Sequence, residues 1–428
     1  MTRGSCIAAA LAACLWPRAG AAQAAVRPAL TMEDAVREAI DHNLTLAAER
    51  YSLAVADART ITAGLRPNPV FTYNAMLPDS AIYQSNVNPL ENVFRTDWIF
   101  ERGGKREYRM EVAEQARSVA ELQLRNTLRT VVLDVQGAFV DVVLARDNLA
   151  LAHASLDAFN RVVQVNVERA RTGDLATVEL ARSRLAALQF QNDVRQQESR
   201  LAIALNHLKV LLGRGALDDV DVTGSLRHDA TPVDVQAVLQ RARDARPDLQ
   251  ALRRDQARSL ADIRLQLAQG TVDYTLSGEF HRQHAPLADG NQYGIYFSVP
   301  LPLFNRNQGE VARARQETLQ ADARIHAAEA EVSGEVQAAY QAYAASRDVV
   351  TTIETQMLDQ ARDVRVTTEY SYRHGEASFI EFLDAVRTFN ETMQSYNSAR
   401  ADYARSLYAL EASSGESVAG LSLAKVNP

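Results

Sequence analysis

Between Leu128 and Ala170 the apolar residues return every three or four positions: Leu128, Val131, Val135, Ala138, Val142, Ala145, Leu149, Ala152, Leu156, Phe159 and Val163. Asn166 is the one polar residue that interrupts this series before Ala170, Gly137 is its only glycine, and it contains no proline. A seven-residue repeat sustained over this length specifies a supercoiling helix rather than a surface helix of a globular domain. Counted from Gly104 to Arg171, such a helix is about 100 Å long at ~1.5 Å per residue, longer than any compact domain is wide.

The pattern returns as Val332, Val336, Ala339, Tyr343, Ser346, Val350, Ile353, Met357, Gln360 and Val364. Alignment places Val135-Gln136-Gly137-Ala138-Phe139 on Val336-Gln337-Ala338-Ala339-Tyr340, and Arg171-Thr172-Gly173-Asp174 on Arg373-His374-Gly375-Glu376. It also places Gly213 on Gly415 and Phe100-Glu101-Arg102 on Phe304-Asn305-Arg306, with offsets of 201 to 204 residues. The chain is a tandem duplication. Its 428 residues therefore make two interlocked copies of one elongated unit instead of several compact domains.

Arg3, the apolar run from Cys6 to Trp16 and the small residues through Ala25 read as a secretory signal over 1–24. Leu11-Ala12-Ala13-Cys14 also matches a lipobox, in which Cys14 becomes the acylated first residue, and both readings stand. Cleavage at Ala24 leaves no cysteine, because Cys6 and Cys14 are the only two, so disulfide and thiol chemistry are excluded. A net charge of −7 leaves no basic footprint for nucleic acid. No later run reaches the ~18 apolar residues of a spanning helix, so a membrane crossing has to use strands.

After the signal, the first repeat covers 25–212: a helix over 32–65, strands over 70–77 and 92–100, and a long helical hairpin over 104–212. A polar linker over 213–232 leads to the second repeat at 233–412, with helices over 233–268, strands over 273–281 and 292–300, and a hairpin over 306–412. A tail, 413–428, follows. Arg66-Pro67-Asn68-Pro69 turns helix into extended chain. Along the strands Phe71, Tyr73, Ala75 and Leu77 share one face, as do Phe94, Trp98 and Phe100, then Tyr274, Leu276 and Phe280, then Tyr293, Ile295, Phe297 and Val299. Polar residues alternate with them. Strands of about nine residues with one apolar aromatic face and one polar face fit a transmembrane barrel. Four strands cannot close one, since the smallest bacterial barrels have ~8, and an open sheet edge cannot sit in lipid. The sheet must be shared between subunits, and a trimer supplies twelve strands together with a ring of twelve helices.

This organisation, with hairpin turns Arg-Thr-Gly-Asp and Arg-His-Gly-Glu, resembles the TolC family of outer-membrane channel proteins. Arg66-Pro67-Asn68-Pro69, Glu101-Arg102-Gly103-Gly104-Lys105-Arg106 and Val299-Pro300-Leu301-Pro302-Leu303-Phe304-Asn305-Arg306-Asn307-Gln308-Gly309 resemble its CzcC branch, the outer components of heavy-metal efflux systems. The resemblance implies a mostly α fold with a small β part: a long α-helical barrel continued by a transmembrane β-barrel, both shared by a homotrimer. It implies a place in the outer membrane, with Phe71, Tyr73, Phe94, Trp98, Phe100, Tyr274, Phe280, Tyr293 and Phe297 facing lipid. It implies passive conduction from a periplasmic adaptor and an inner-membrane pump of the resistance-nodulation-cell division type. The adaptor would dock at the hairpin tips, Gly173, Asp174, Gly375 and Glu376. Glu381 and Asp384 match the carboxylates of the periplasmic aperture, and Tyr372 and Glu179 match a tyrosine and an acid linked by a hydrogen bond in the closed state. Ala377 stands where such a tip can carry a basic residue.

Chemistry of other kinds is not legible. Gly103-Gly104-Lys105 lacks the rest of a phosphate loop and reads as a strand-to-helix turn. Of the eight histidines only His281 and His284 lie within a turn of each other, as a loop pair with no third ligand, so no metal site and no cofactor is expected. No catalytic motif is found. Metal ions and drugs remain open as cargo, and a soluble periplasmic coiled-coil adaptor is the alternative that shares the hairpins but needs no lipid-facing strands.

Overall fold

The computed structural model describes residues 29–76, 90–228, 233–285 and 288–415. The expected signal, Cys14, the loop after Met76 and the tail beyond Gly415 lie outside the described residues.

Thr31 starts helix α1 (Met32–His42) by accepting a hydrogen bond from the Asp34 amide. The single helix expected over 32–65 breaks at Asn43, whose side chain caps α2 (Leu44–Ala63) by accepting from the amides of Thr45 and Leu46 at 2.9 and 3.1 Å. Its Nδ2 donates to the carbonyl of Leu211 at 2.8 Å. The cap satisfies amides that a new helix leaves open, while the apolar periodicity runs on across it and hides the break. In the second copy the matching break, between α5 (Val235–Ala245) and α6 (Pro247–Gln269), falls at Arg246. Arg246 is almost fully buried and paired with Asp248 and Glu335.

Strands β1 (Val70–Met76), β2 (Leu90–Phe100), β3 (Tyr274–Ala285) and β4 (Ala288–Ser298) form one antiparallel sheet in chain order. The copies are joined through β2 and β3, paired from Leu90↔His284 to Phe100↔Tyr274. β3 and β4 reach further toward their shared turn than the expected 273–281 and 292–300, and β4 stops at Ser298, ahead of Pro300, which has no N–H to give. His281 and His284 therefore sit in a strand rather than a loop. Three residues apart, they point to opposite faces and cannot meet on one ion.

Each hairpin of strands enters a long helix through a left-handed backbone position. In the first copy these are Gly103 and Gly104 (φ 72° and 73°), and in the second Asn307 (φ 65°), whose Nδ2 donates to the carbonyl of Gln266 at 2.8 Å. Lys105, 6% exposed at its side chain, pairs at 2.7 Å with Asp273, the residue before β3. Asp273→Ala is expected to strand that ammonium. With the carboxylate side 29% exposed, the loss should be about 2–3 kcal/mol, below the ~3–5 of a fully buried pair, and should show as a lower melting temperature.

Helix α3 (Lys105–Thr172) runs unbroken for 68 residues, and α4 (Thr177–Leu211) returns along it. None of the residues in the Leu128–Ala170 series is exposed. The second copy pairs α7 (Gln308–Thr352) and α8 (Leu358–His374) with the returning α9 (Phe379–Ser413), but between α7 and α8 lies a π-helical turn, Ile353–Met357. Here the sequence reading is corrected. Beyond Ile353 the series Met357, Gln360 and Val364 is exposed, and the inward positions pass to Leu358, Ala361, Arg365, Thr368 and Tyr372. A π turn holds one residue more than the α turn it replaces. That residue also accounts for the change in offset between the copies: Arg347 follows Arg146 by 201, whereas Gly375 follows Gly173 by 202.

Around the middle of the helices Val222 bridges to Leu30, Leu226 is buried, and Arg146 donates to the carbonyls of Val222 and Gly224 at 3.0 Å each. Gly213 (φ 70°) presses on the carbonyl of His42, where a Cβ would come within 2.4 Å, and its counterpart Gly415 (φ 76°) presses on the backbone of Arg246.

Candidate functional site

Two regions of the chain carry surfaces that its own core does not explain: one face of the sheet and the ends of the helical hairpins.

On the sheet, the register lines up Tyr73 with Phe94, Phe94 with Phe280 and Phe280 with Tyr293, an aromatic row across all four strands with ring centroids 4.9, 6.1 and 5.3 Å apart. Trp98, Leu276 and Phe297 form a second row, and Phe71, Phe100, Tyr274 and Ile295 lie on the same face. This face is open, with Tyr293 81% and Ile295 84% exposed. A patch of this kind calls for a covering phase. The opposite face is polar and internally bonded. Arg95 donates to Asp97 at 2.8 Å and to Ser277 at 3.0 Å, Ser277 donates to Asp97, and Tyr296 donates to Glu279 at 3.0 Å. The Arg95 guanidinium lies 5.1 Å above the Tyr296 ring. Such charge-assisted contacts hold long side chains close to the sheet.

At the other end, Gly173 and Gly375 close α3 and α8 in the left-handed conformation (φ 87° and 80°). The Asp174 amide donates to the Arg169 carbonyl and the Glu376 amide to the Ser371 carbonyl, both at 2.8 Å, so the two tips are built alike. Behind them Phe159, Val162, Ala186, Phe190, Tyr372, Phe379, Phe382 and Val386 form a core contributed by both hairpins. The Tyr372 ring stacks on Phe382 at 5.1 Å and 7°. Its hydroxyl donates to Asn166 Oδ1 at 2.9 Å, and burial pushes the phenol above its ordinary range.

The link expected from Tyr372 to Glu179 is therefore replaced. The π turn brings Tyr372 into the inward position that Ala170 occupies in the first copy, facing α3, and Glu179, half-buried in the first turn of α4, acts on it only through charge. Asn166, fully buried, keeps its Nδ2 without a hydrogen-bond partner among the described residues. The sequence carried its signal as the one polar residue in the apolar series.

Glu381 carries a local bond as well. Its carboxylate accepts from the Ser378 amide at 2.7 Å while Ser378 Oγ accepts from the Glu381 amide, a capping box that starts α9. Asp384, one turn on, is exposed. The Ser378 amide holds the Glu381 carboxyl below its ordinary value of 4.5. A lowered folded-state value means the cap contributes fully above the ordinary range and is lost as pH falls through the lowered one. Protection factors for amide exchange at residues 379–382, which correct for the slowing of intrinsic exchange as pH falls, should accordingly drop below pH 4.5 in the native chain, and a Glu381→Gln variant should show no such step.

Comparison with known proteins agrees with this geometry. The family model described as outer membrane efflux protein matches residues 35–214 and 238–416, one stretch per repeat. The chain belongs to the outer membrane efflux protein family. This efflux channel is 24% identical over 360 residues to the cobalt-zinc-cadmium resistance protein CzcC of Cupriavidus metallidurans, covering 84% of each chain. Its fold matches the outer-membrane channel OprN with a TM-score of 0.74 at 19% identity, covering 90% of this chain and 89% of that one. It matches CusC with 0.72 at 18% identity, covering 90% and 92%.

The efflux channel is a passive outer-membrane conduit rather than an enzyme. No helix among the described residues is long and apolar enough to cross a membrane. No group of three or more His, Cys, Asp or Glu among the described residues could hold a metal ion.

Proposed function

We propose that three copies of this efflux channel close a twelve-stranded barrel in the outer membrane and a twelve-helix barrel below it, and that the tube conducts heavy-metal cations outward. The four-stranded sheet carries this reading: an open apolar face, a bonded polar face and two edges unpaired among the described residues are incompatible with a finished soluble domain. In the assembly Phe71, Tyr73, Phe94, Trp98, Phe100, Tyr274, Phe280, Tyr293 and Phe297 meet lipid. The tips around Gly173, Asp174, Gly375 and Glu376 receive a periplasmic adaptor, and an inner-membrane pump supplies the driving force. Likeness to CzcC supports metal cations as cargo. The lack of a tight metal cluster among the described residues is compatible with a conduit, which needs sites weak enough to leave.

Deletion of the gene is expected to raise sensitivity to cobalt, zinc or cadmium while leaving antibiotic and detergent sensitivity unchanged. The converse pattern would make small organic molecules the cargo. Mass measurement of the mature protein in detergent should give the trimer, and a water-soluble monomer would end the shared-barrel reading.

Three copies of Asp384 near the axis repel anions and attract cations at the periplasmic entrance. Asp384→Ala is expected to reduce cation preference in planar bilayers severalfold. Glu381→Ala should do less to selectivity and more to helix order, because that carboxylate is engaged in its cap. Unchanged ion preference in the double variant would remove the ring.

A further inference from the structure

The polar face of the sheet holds one more pair of side chains, on neighbouring strands of a single chain. In the ladder of β2 with β3, Val93 lies opposite His281 and Glu91 opposite Gln283, so Glu91 and His281 share the polar face with Arg95 and Glu279, and His284 lies on the other face. His281 Nε2 is 3.3 Å from Glu91 Oε2, and the two side chains keep 20% and 23% of their surface open, which leaves a way in for an ion and its water. The nitrogen itself is shut off from solvent and has no hydrogen-bond partner among the described residues. Gln283 Nε2 donates to the other carboxylate oxygen, Glu91 Oε1, at 3.2 Å and so fixes which oxygen is turned to the ring. A buried nitrogen left unmatched beside a carboxylate calls for something between them. A charge-assisted hydrogen bond would draw the two atoms to ~2.7–2.9 Å. A tetrahedral zinc ion, with bonds of ~2.0–2.2 Å to nitrogen and oxygen, holds two ligand atoms about 3.3–3.5 Å apart.

We infer that His281 Nε2 and Glu91 Oε2 hold a divalent cation of the zinc class on its way out, in a two-ligand site completed by water. Imidazole together with a carboxylate suits such an ion, whereas magnesium takes oxygen ligands and gives up its waters reluctantly. Gln283 is a positioning residue, acting through the carboxylate it holds. The site is contained in one chain. Only its place facing the lumen rests on the shared-barrel reading, under which a trimer carries three such sites. His281 lies seven residues beyond Tyr274, the first residue of β3. At ~3.4 Å per residue that is roughly 24 Å from the helical end of the sheet, toward the outer mouth. Two protein ligands make a resting point that an ion leaves easily, as a conduit requires at its exit.

Equilibrium dialysis of the purified protein in detergent against zinc chloride tests this. The parent is expected to bind one zinc ion per chain more than His281→Ala, His281→Gln or Glu91→Gln, each of which should weaken that site by about tenfold or more. An excess of magnesium should leave the difference in place. His281→Cys, which puts a thiolate where the ring nitrogen stood, should restore zinc binding. Mass measurement identifies the variants that assemble as the parent does, and two substitutions at His281 guard against the loss of one to misfolding. Equal zinc binding by the parent and these variants overturns the site. So does a loss confined to Glu91→Gln, which would leave an ordinary carboxylate, or displacement of the zinc by magnesium. A monomeric parent overturns the shared barrel, and the same titration still decides whether the pair binds zinc.

Discussion

Deleting Gln356 is expected to leave the hairpin tip intact, whereas deleting Ala154, at the corresponding place in the first copy, is expected to destroy it. Both are single exposed residues in long helices. Gln356 lies in the π turn, Ile353–Met357. Removing it lets that turn become α-helix, so Leu358, Ala361, Arg365, Thr368 and Tyr372 continue the stripe that ends at Ile353. The α3 segment around Ala154 holds no spare residue. A deletion there rotates everything toward the tip by about 100° and carries Phe159, Val162 and Asn166 out of the core they share with α8 and α9. Loss of the Phe159 side chain alone is worth ~3–5 kcal/mol. Melting temperature and bilayer conductance check the pair. The Gln356 deletion should match the parent within ~1 kcal/mol with an unchanged closed current, and the Ala154 deletion should melt far earlier and leak or fail to assemble. Equal damage from both would show that the π turn does not absorb the extra residue.

The second large effect belongs to Tyr372. Tyr372→Ala removes a buried ring stacked on Phe382 and is expected to cost ~3–5 kcal/mol at the tip, loosening α8 from α3 and raising conductance at rest. Tyr372→Phe keeps the ring but leaves Asn166 Oδ1 buried without its donor, at a cost of ~1–3 kcal/mol. Adding Asn166→Leu to Tyr372→Phe removes the stranded polar group and also its Nδ2, which has no hydrogen-bond partner among the described residues even in the parent. The double variant should recover most of the stability lost by Tyr372→Phe, because apolar replacement of both partners is close to neutral. Melting of the three variants side by side checks this. A double variant less stable than Tyr372→Phe would mean that the amide has a role beyond its bond to the tyrosine.

These two sites mark where periodicity stops being informative. The repeat from Leu128 to Ala170 reads directly onto buried positions, because an uninterrupted α-helix returns every seventh residue to the same side. The same rule fails after Ile353, since one added residue per turn cannot be located from spacing alone. Alternation likewise places Phe94, Phe280 and Tyr293 on one face, but their meeting in a row depends on the pairing of β2 with β3, two segments separated by the whole first hairpin. Glu381 looks like a free carboxylate from its distance to Gly375. Its commitment to the Ser378 amide depends on where α9 begins. Asn43 breaks its helix while the apolar positions run on across it.

By itself the sequence determined the duplication, the two long hairpins and the two-faced strands, because each of these follows from a local period, while the outer-membrane channel followed from the resemblance to the TolC family that those features and the turn motifs carry. Only the tertiary structure decided the frame of the second hairpin beyond Ile353, the partner of Tyr372 and the use of Glu381. Those depend on which side of a helix meets its neighbour, and the spacing of apolar residues cannot show where a π turn takes up an extra residue or which buried amide a hydroxyl will find.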